Sequence, residues 1–349
     1  MSRFFSRNLQ DLEAYTPGEQ PKKGQYIKLN TNENPFPPPK RVAEVVEKSC
    51  QGLHLYSDDS CRELTETYAN YRNVSPKNVL FANGSDEILA FSFLAFCQEG
   101  VCFPDISYGF YPVFAQLFQI EGEKIPLAQD LSIQTKDYFQ KRKTVLIANP
   151  NAPTGIALSL GEIQEIVQQN PNNLVIIDEA YVDFGGESAV PLTKKYDNLL
   201  VCGTFSKSRN LAGARLGFAI GQEELIADLN KIKYSFNPYN VNSLSQAVGK
   251  VSIEEEAYFQ DCCRNIISTR EDFTAKLQEL CFFTLPSKAN FIFTKTEKIS
   301  GEKLFQGLKE RNILVRHFTN PLISDFLRIT IGTKEEMEIV LKNIKEMVE

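Results

Sequence analysis

The sequence predicts an α/β protein: a large domain with a mostly parallel sheet flanked by helices, followed by a smaller α+β domain. Three observations carry this. Short, almost wholly apolar runs of strand length recur through the middle of the chain, helical patterns separate several of them, and the pattern changes after about residue 236. A strand that is apolar at every position has both faces covered, which is the condition of a parallel sheet lying between helix layers.

The elements follow in order. Residues 1–36, rich in Pro, Gly, Asn and Lys and running into NENPFPPPK, read as an N-terminal arm that packs on something else and has no core of its own. The large domain is expected over 37–235. Its strands are NVLFANG, VCFPD, TVLIANPN, NLVIIDEA, LLVCGTFS and RLGFAIG, with helical stretches such as SDEILAFSFLAF and SLGEIQEIVQQN between them. The smaller domain, 236–349, has one long helical stretch, EEEAYFQDCCRNIISTREDFTAKLQEL, then strand-like ANFIFTK, NILVRHF and FLRITIG, and a closing helix. The arm is expected to pack with this smaller domain.

Composition narrows the function. The 349 residues carry 38 Lys+Arg against 44 Asp+Glu, a net charge of -6, which disfavours a nucleic-acid partner. No run approaches the ~20 apolar residues of a membrane span, and the start MSRFFSRNLQDLEAY lacks an apolar leader, so a cytoplasmic protein is expected. The 8 cysteines form no CxxC pair and read as reduced, buried thiols, with no metal site. With His54 and His317 the only histidines, histidine-centred hydrolysis and zinc chemistry have little to work with.

In a sheet of this kind ligands gather outside the carboxyl ends of the strands, and the notable polar residues sit there. Lys207 follows the apolar run NLLVCGTF, where an amine can be desolvated, its pKa lowered, and its nucleophilicity released for Schiff-base chemistry. Asp178 closes NLVIID and brings a carboxylate to the same edge, suited to pairing with a pyridinium nitrogen. Gly84 and Ser85, with Asp86 in the first turn, open a helix after VLFA, where free amides suit a phosphate. Ser206 and Arg215 can add donors to the same anion. Lysine, aspartate and phosphate cradle together describe pyridoxal 5'-phosphate.

NPNAPTG (149–155), DEAYVDF (178–184) and SKSRNLAGARLG (206–217), in that order and spacing, resemble the fold-type I pyridoxal-phosphate aminotransferases. LNTNENPF, LYSDDSCREL, NPYNVNSLSQ, PSKANFIF and FLRITIGT resemble the histidinol-phosphate aminotransferase branch in particular. The resemblance implies that Lys207 bonds the cofactor and shuttles the proton, that Asp178 pairs with the ring nitrogen, and that Tyr181 bonds the ring O3'. It implies a phosphate cup of Ser206, Arg215, Ser85, Asp86 and the backbone after Gly84, and Tyr108 stacked on the ring. Tyr56 is implied to reach the neighbouring subunit's site in a homodimer. Arg328 and Arg316 are implied as anion-binding arginines, with Tyr15 and Asn32 closing over the substrate. One departure stands out: the asparagine usual before PTG is Ala152 here, so either Asn151 takes its place or Tyr181 serves O3' alone. Arg209 gains no role beyond a structural one.

The implied reaction is ping-pong transamination between L-histidinol phosphate and 2-oxoglutarate, giving imidazole-acetol phosphate and L-glutamate in histidine biosynthesis. Relatives on the same fold, an aromatic amino-acid aminotransferase or a threonine-phosphate decarboxylase, would keep Lys207, Asp178 and Arg215. A non-catalytic phosphate-ligand binding protein would use Ser85, Ser206 and Arg215 and leave Lys207 solvated.

Overall fold

A computed structural model describes residues 2–21 and 26–349; residue 1 and residues 22–25 of the arm lie outside the described residues. In chain order the strands are β1 (Ile27–Lys28), β2 (Val79–Ala82), β3 (Val101–Pro104), β4 (Gly122–Ile125), β5 (Thr144–Ala148), β6 (Val175–Asp178), β7 (Leu199–Thr204) and β8 (Gly217–Ile220). The C-terminal part adds β9 (Phe283–Thr284), β10 (Phe291–Lys295), β11 (Ile313–Leu314), β12 (Arg316–His317) and β13 (Leu327–Thr330).

Seven strands form the main sheet in the order β2-β8-β7-β6-β5-β3-β4. Alternation of side chains along each strand divides its apolar residues between two cores. Val145, Ile147, Val175, Ile177, Leu199 and Val201 enter one. Leu146, Ala148, Ile176, Leu200 and Cys202 enter the other. Both faces are therefore covered, which is why the sequence runs are apolar without alternation.

Strand direction differs from the simplest expectation at one place. β3, β4, β5, β6 and β7 pair in parallel, but β8 runs antiparallel to both β7 and β2. The reversal matters for the site. β2, β5, β6 and β7 end at one edge, and β8 begins there, so Arg215 arrives beside the ends of its neighbours. A parallel β8 would have carried it to the opposite edge.

Gly217, the first residue of β8, pairs with both Ala82 and Thr204. A Cβ at 217 would lie 2.3 Å from the carbonyl carbon of Gly84 and 2.3 Å from the amide nitrogen of Ser85. Only glycine lets β8 sit this close to the turn that opens helix Ser85–Phe96. Gly84 itself has φ +84 and caps that helix with no side-chain bond, so the first-turn amides stay free.

The smaller unit has an antiparallel sheet, β12-β13-β10-β9, and a parallel pair, β1 with β11. The pair ties the arm to the C-terminal part of the chain. Helix Glu256–Glu279 buries Phe259, Cys263, Ile266, Phe273 and Leu277, a stripe at helical spacing, in the core that also holds Phe291, Ile292, Leu327 and Ile329. The helix Ser243–Glu254, expected in the C-terminal domain because it lies beyond 236, packs against helices Lys40–Ser49 and Arg62–Arg72. Its Val248, Val251 and Ile253 belong to the main core. No helix among the described residues is long and apolar enough to cross a membrane.

Candidate active site

Ser85, Asp86, Tyr108, Ala148, Ala152, Asp178, Ala180, Tyr181, Thr204, Ser206, Lys207 and Arg215 line one cavity at the edge where β2, β5, β6 and β7 end. A roomier cleft lined by Leu131, Phe283, Lys295 and Phe326 lies apart and contains none of them.

Lys207 follows β7 and is partly buried. Its Nζ donates to the carbonyl of Thr31 in the arm at 2.9 Å, and Nδ2 of Asn34 donates to its backbone carbonyl at 3.0 Å. Burial first, then the Arg328 cation, pull its pKa down to about 8; Glu33 and Asp86 oppose this. Arg209, two residues on, fixes the loop. Its Nη1 donates to the carbonyl of Ser252 at 2.8 Å, it pairs with Glu256 at 3.1 Å, and its guanidinium lies 3.9 Å from the Phe259 ring centroid. The structural role expected of Arg209 is thus a tie from the lysine loop to helix Glu256–Glu279.

Asp178 is 4% exposed. Its Oδ2 accepts from the hydroxyl of Tyr111 at 2.9 Å and its Oδ1 from the amide of Ala180 at 3.2 Å. Burial pushes its pKa up to about 6 against the pull of these two donors. Glu179, its buried neighbour, faces elsewhere, accepting from Ser188 and the amide of Ala189.

At the phosphate end, Arg215 pairs with Asp86 at 3.1 Å and lies over Gly84, where a Cβ would meet its Nη2 at 2.5 Å. Tyr108 donates to the other oxygen of Asp86 at 2.8 Å; burial, then the Asp86 charge, keep that phenol protonated. Thr204 and Ser206 bring hydroxyls 2.9 Å apart. Free helix amides, two hydroxyls and a guanidinium around a glycine make a cradle for a phosphate.

Tyr181, 9% exposed, accepts from Nδ2 of Asn32 at 2.9 Å. Asn32 is held by Thr330, which donates to its Oδ1 at 3.0 Å. Tyr15 stacks on Phe110 with centroids 4.3 Å apart and lies 6.3 Å from the Tyr108 ring. Arg328 and Arg316 stand directly opposite each other on β13 and β12. Arg328 gives one bond, from Nη2 to the carbonyl of Asn30 at 3.1 Å, and its buried Nε has no partner. Among the described residues Arg316 reaches only the carbonyl of Thr16, at 3.4 Å. Among the described residues no carboxylate pairs with either guanidinium, so the two like charges are free to take up an anion.

Two expected residues stand elsewhere. Asn151 does not line the cavity: its Nδ2 donates to the carbonyl of Ile106 at 3.0 Å and its Oδ1 accepts from Ser107 at 2.7 Å, so its side chain is spent in tying its loop to the segment after β3. Ala152 lines the wall instead, which leaves Tyr181 as the hydroxyl on that side. Tyr56 is 84% exposed, stacked on Tyr239 at 4.5 Å. Sequence reasoning passed over Tyr111 and Thr31. Tyr111 looks like a core aromatic in the helix Phe110–Leu117, and Thr31 acts through its backbone, which no residue type announces.

A doubly covered sheet with a desolvated lysine, a buried carboxylate and a phosphate cradle at its strand ends defines a class, and the comparisons agree with it. Residues 24–344 match the family model described as "Aminotransferase class I and II", and the chain belongs to that family. It is 49% identical to a histidinol-phosphate aminotransferase of Brachyspira hyodysenteriae, over 100% of this chain and 99% of the relative. It is 48% identical to one of Clostridium botulinum (strain Kyoto / Type A2), over 100% and 99%. The solved histidinol-phosphate aminotransferase of Sinorhizobium meliloti, in complex with pyridoxal-5'-phosphate, shares the fold with a TM-score of 0.90 at 18% identity, over 100% of this chain and 98% of that one.

The lowered pKa of Lys207 gives a direct expectation. In cofactor-free protein its amine becomes neutral above about pH 8, so acetic anhydride should label it with a midpoint near pH 8 while exposed lysines titrate above about pH 10. Arg328→Gln removes a cation that favours the neutral form and should move the midpoint upward. Mass spectrometry of the labelled peptides across pH measures both; a Lys207 midpoint equal to that of surface lysines would contradict the assignment.

Proposed function

We propose that this chain is a pyridoxal-phosphate-dependent aminotransferase that moves the amino group of L-histidinol phosphate to 2-oxoglutarate, giving imidazole-acetol phosphate and L-glutamate in histidine biosynthesis. One observation carries the reading: the Lys207 amine, its pKa lowered, shares its surroundings with Arg328, which stands opposite Arg316 across strands and has no carboxylate partner among the described residues. Such a pair suits a substrate with a doubly charged phosphate next to the carbon that reacts. The full-length likeness to proteins named histidinol-phosphate aminotransferase supports the same substrate.

The residues present fit the cofactor. The free amides after Gly84, those of Ser85 and Asp86, with the hydroxyls of Ser85 and Ser206 and the Arg215 guanidinium, would hold its phosphate; Asp178 would hold its ring nitrogen in the cationic form; Tyr181 would donate to O3'; and Tyr108 would cover the ring. Bound, the cofactor supplies an electron sink for the pair released when the substrate's α C–H bond breaks. Lys207 then does the proton work. In its neutral form Nζ would take the α-proton, a form that a lysine at its ordinary pKa hardly populates at neutral pH. Arg328 and Arg316 bind the substrate anion, and Tyr15 and Asn32, from the arm, close the substrate side and exclude water.

The chain works as a homodimer in this reading. Leu53, Leu55, Tyr56, Phe236 and Tyr239 are all exposed, an apolar surface that a second copy would cover while bringing Tyr56 to the partner's phosphate site. The eight free thiols suit a cytoplasmic setting.

Donor comparison tests the substrate: kcat/KM for histidinol phosphate should exceed that for phenylalanine and tyrosine by on the order of 100-fold, since the two arginines pair better with a phosphate dianion than with a single carboxylate. A preference for phenylalanine or tyrosine would move the chain to aromatic transamination, and Lys207→Ala with normal turnover would remove its role. Sedimentation tests the assembly. The protein should run as a dimer and Phe236→Asp as a monomer of reduced activity; a fully active wild-type monomer would rule out the shared site.

A further inference from the structure

Tyr111 has no part in the roles above, yet it is completely buried and its hydroxyl has one partner, Asp178. We infer that Tyr111 is a positioning residue of this enzyme: it holds the Asp178 carboxylate in its ionised form, aimed at the cofactor's ring nitrogen, without neutralising it. This rests on the reading that Asp178 holds that nitrogen.

Three features support the assignment. The first is the kind of donor. Lysine or arginine at this place would pair with Asp178 and compete with the cationic ring nitrogen, whereas a phenol donates one hydrogen bond and adds no charge. Among the described residues no cation lies within ion-pair distance of Asp178, so its charge remains available to the cavity it lines. The second is the direction of the bond. Burial, then the Asp178 charge, raise the Tyr111 phenol far above its ordinary range, so it stays protonated and can only donate. The bond fixes Oδ2 as the amide of Ala180 fixes Oδ1, and an ionised carboxylate with about four acceptor positions keeps others free. The third is rigidity. The Tyr111 ring stands edge-on to Tyr108, at 5.6 Å and 87°, and lies 5.8 Å from Phe103 on β3. The ring that lines the cavity and the carboxylate at its end are thus braced by one side chain.

Without the hydroxyl, Asp178 keeps only the Ala180 amide. Its affinity for a proton rises, and the proton shared with the ring nitrogen moves toward the carboxyl. The test is to reconstitute wild type, Tyr111→Phe and Phe103→Leu with pyridoxal phosphate labelled with 15N in the ring and to record the nitrogen chemical shift. Wild type should give a cationic ring nitrogen. Tyr111→Phe keeps the ring and loses one oxygen; its signal should move toward that of neutral pyridine, and kcat should fall on the order of 10- to 100-fold with little change in KM. Phe103→Leu loosens the packing but keeps the hydroxyl, so it should lower thermal stability and leave the signal cationic. A Tyr111→Phe protein with a wild-type nitrogen shift and wild-type kcat overturns the role of Tyr111 alone. Wild type that takes up no cofactor, or holds it with a neutral nitrogen, overturns the cofactor reading on which this rests.

Discussion

Most of the site depends on the desolvation of one amine. A lysine taken out of water without a carboxylate at ion-pair distance loses much of the stabilisation of its charge, and among the described residues the Nζ of Lys207 has only the Thr31 carbonyl as a hydrogen-bond partner. Two parts of the chain distant in sequence create that condition. β7 carries the lysine to the edge of the main sheet, and the arm covers it with residues 31–34. Arg328 on β13 adds a like charge from the smaller unit, so the state of the amine depends on the two units being closed on each other.

The phosphate end rests on a different constraint, the lack of space at Gly217. β8 can approach the Gly84–Ser85 turn only without a side chain there, and its reversed direction places Arg215 over Gly84. Arg215 itself adopts φ 51, in the left-handed region, just before the strand begins. It pairs with Asp86, whose other oxygen takes the Tyr108 hydroxyl. The elements that would receive a phosphate are thus already connected to one another.

Much of this was legible in the sequence, for identifiable reasons. Strands buried on both faces leave apolar runs, and the polar residues that follow such runs, Lys207 and Asp178, fall at the ligand edge by topology. The direction of β8 was not legible, because an apolar run of four residues reads the same both ways and pairing alone decides. The same holds for helix Ser243–Glu254, whose partners lie some two hundred residues earlier. Asn151 sits one position from the expected asparagine, yet its side chain turns toward Ile106 and Ser107 after β3, partners too distant in sequence to be read from its own motif. Tyr111 was hidden because a buried tyrosine on a helix looks like core until the atom its hydroxyl reaches is known.

The central claim is that Lys207, and no other lysine, is the residue to which the cofactor becomes covalently attached. Reduction of the cofactor-loaded protein with sodium borohydride makes that attachment permanent, and peptide mass spectrometry then locates it. The account predicts a single stoichiometric adduct on the peptide carrying Lys207, lost in Lys207→Ala. An adduct centred on any other lysine, or none after saturation with cofactor, would contradict it.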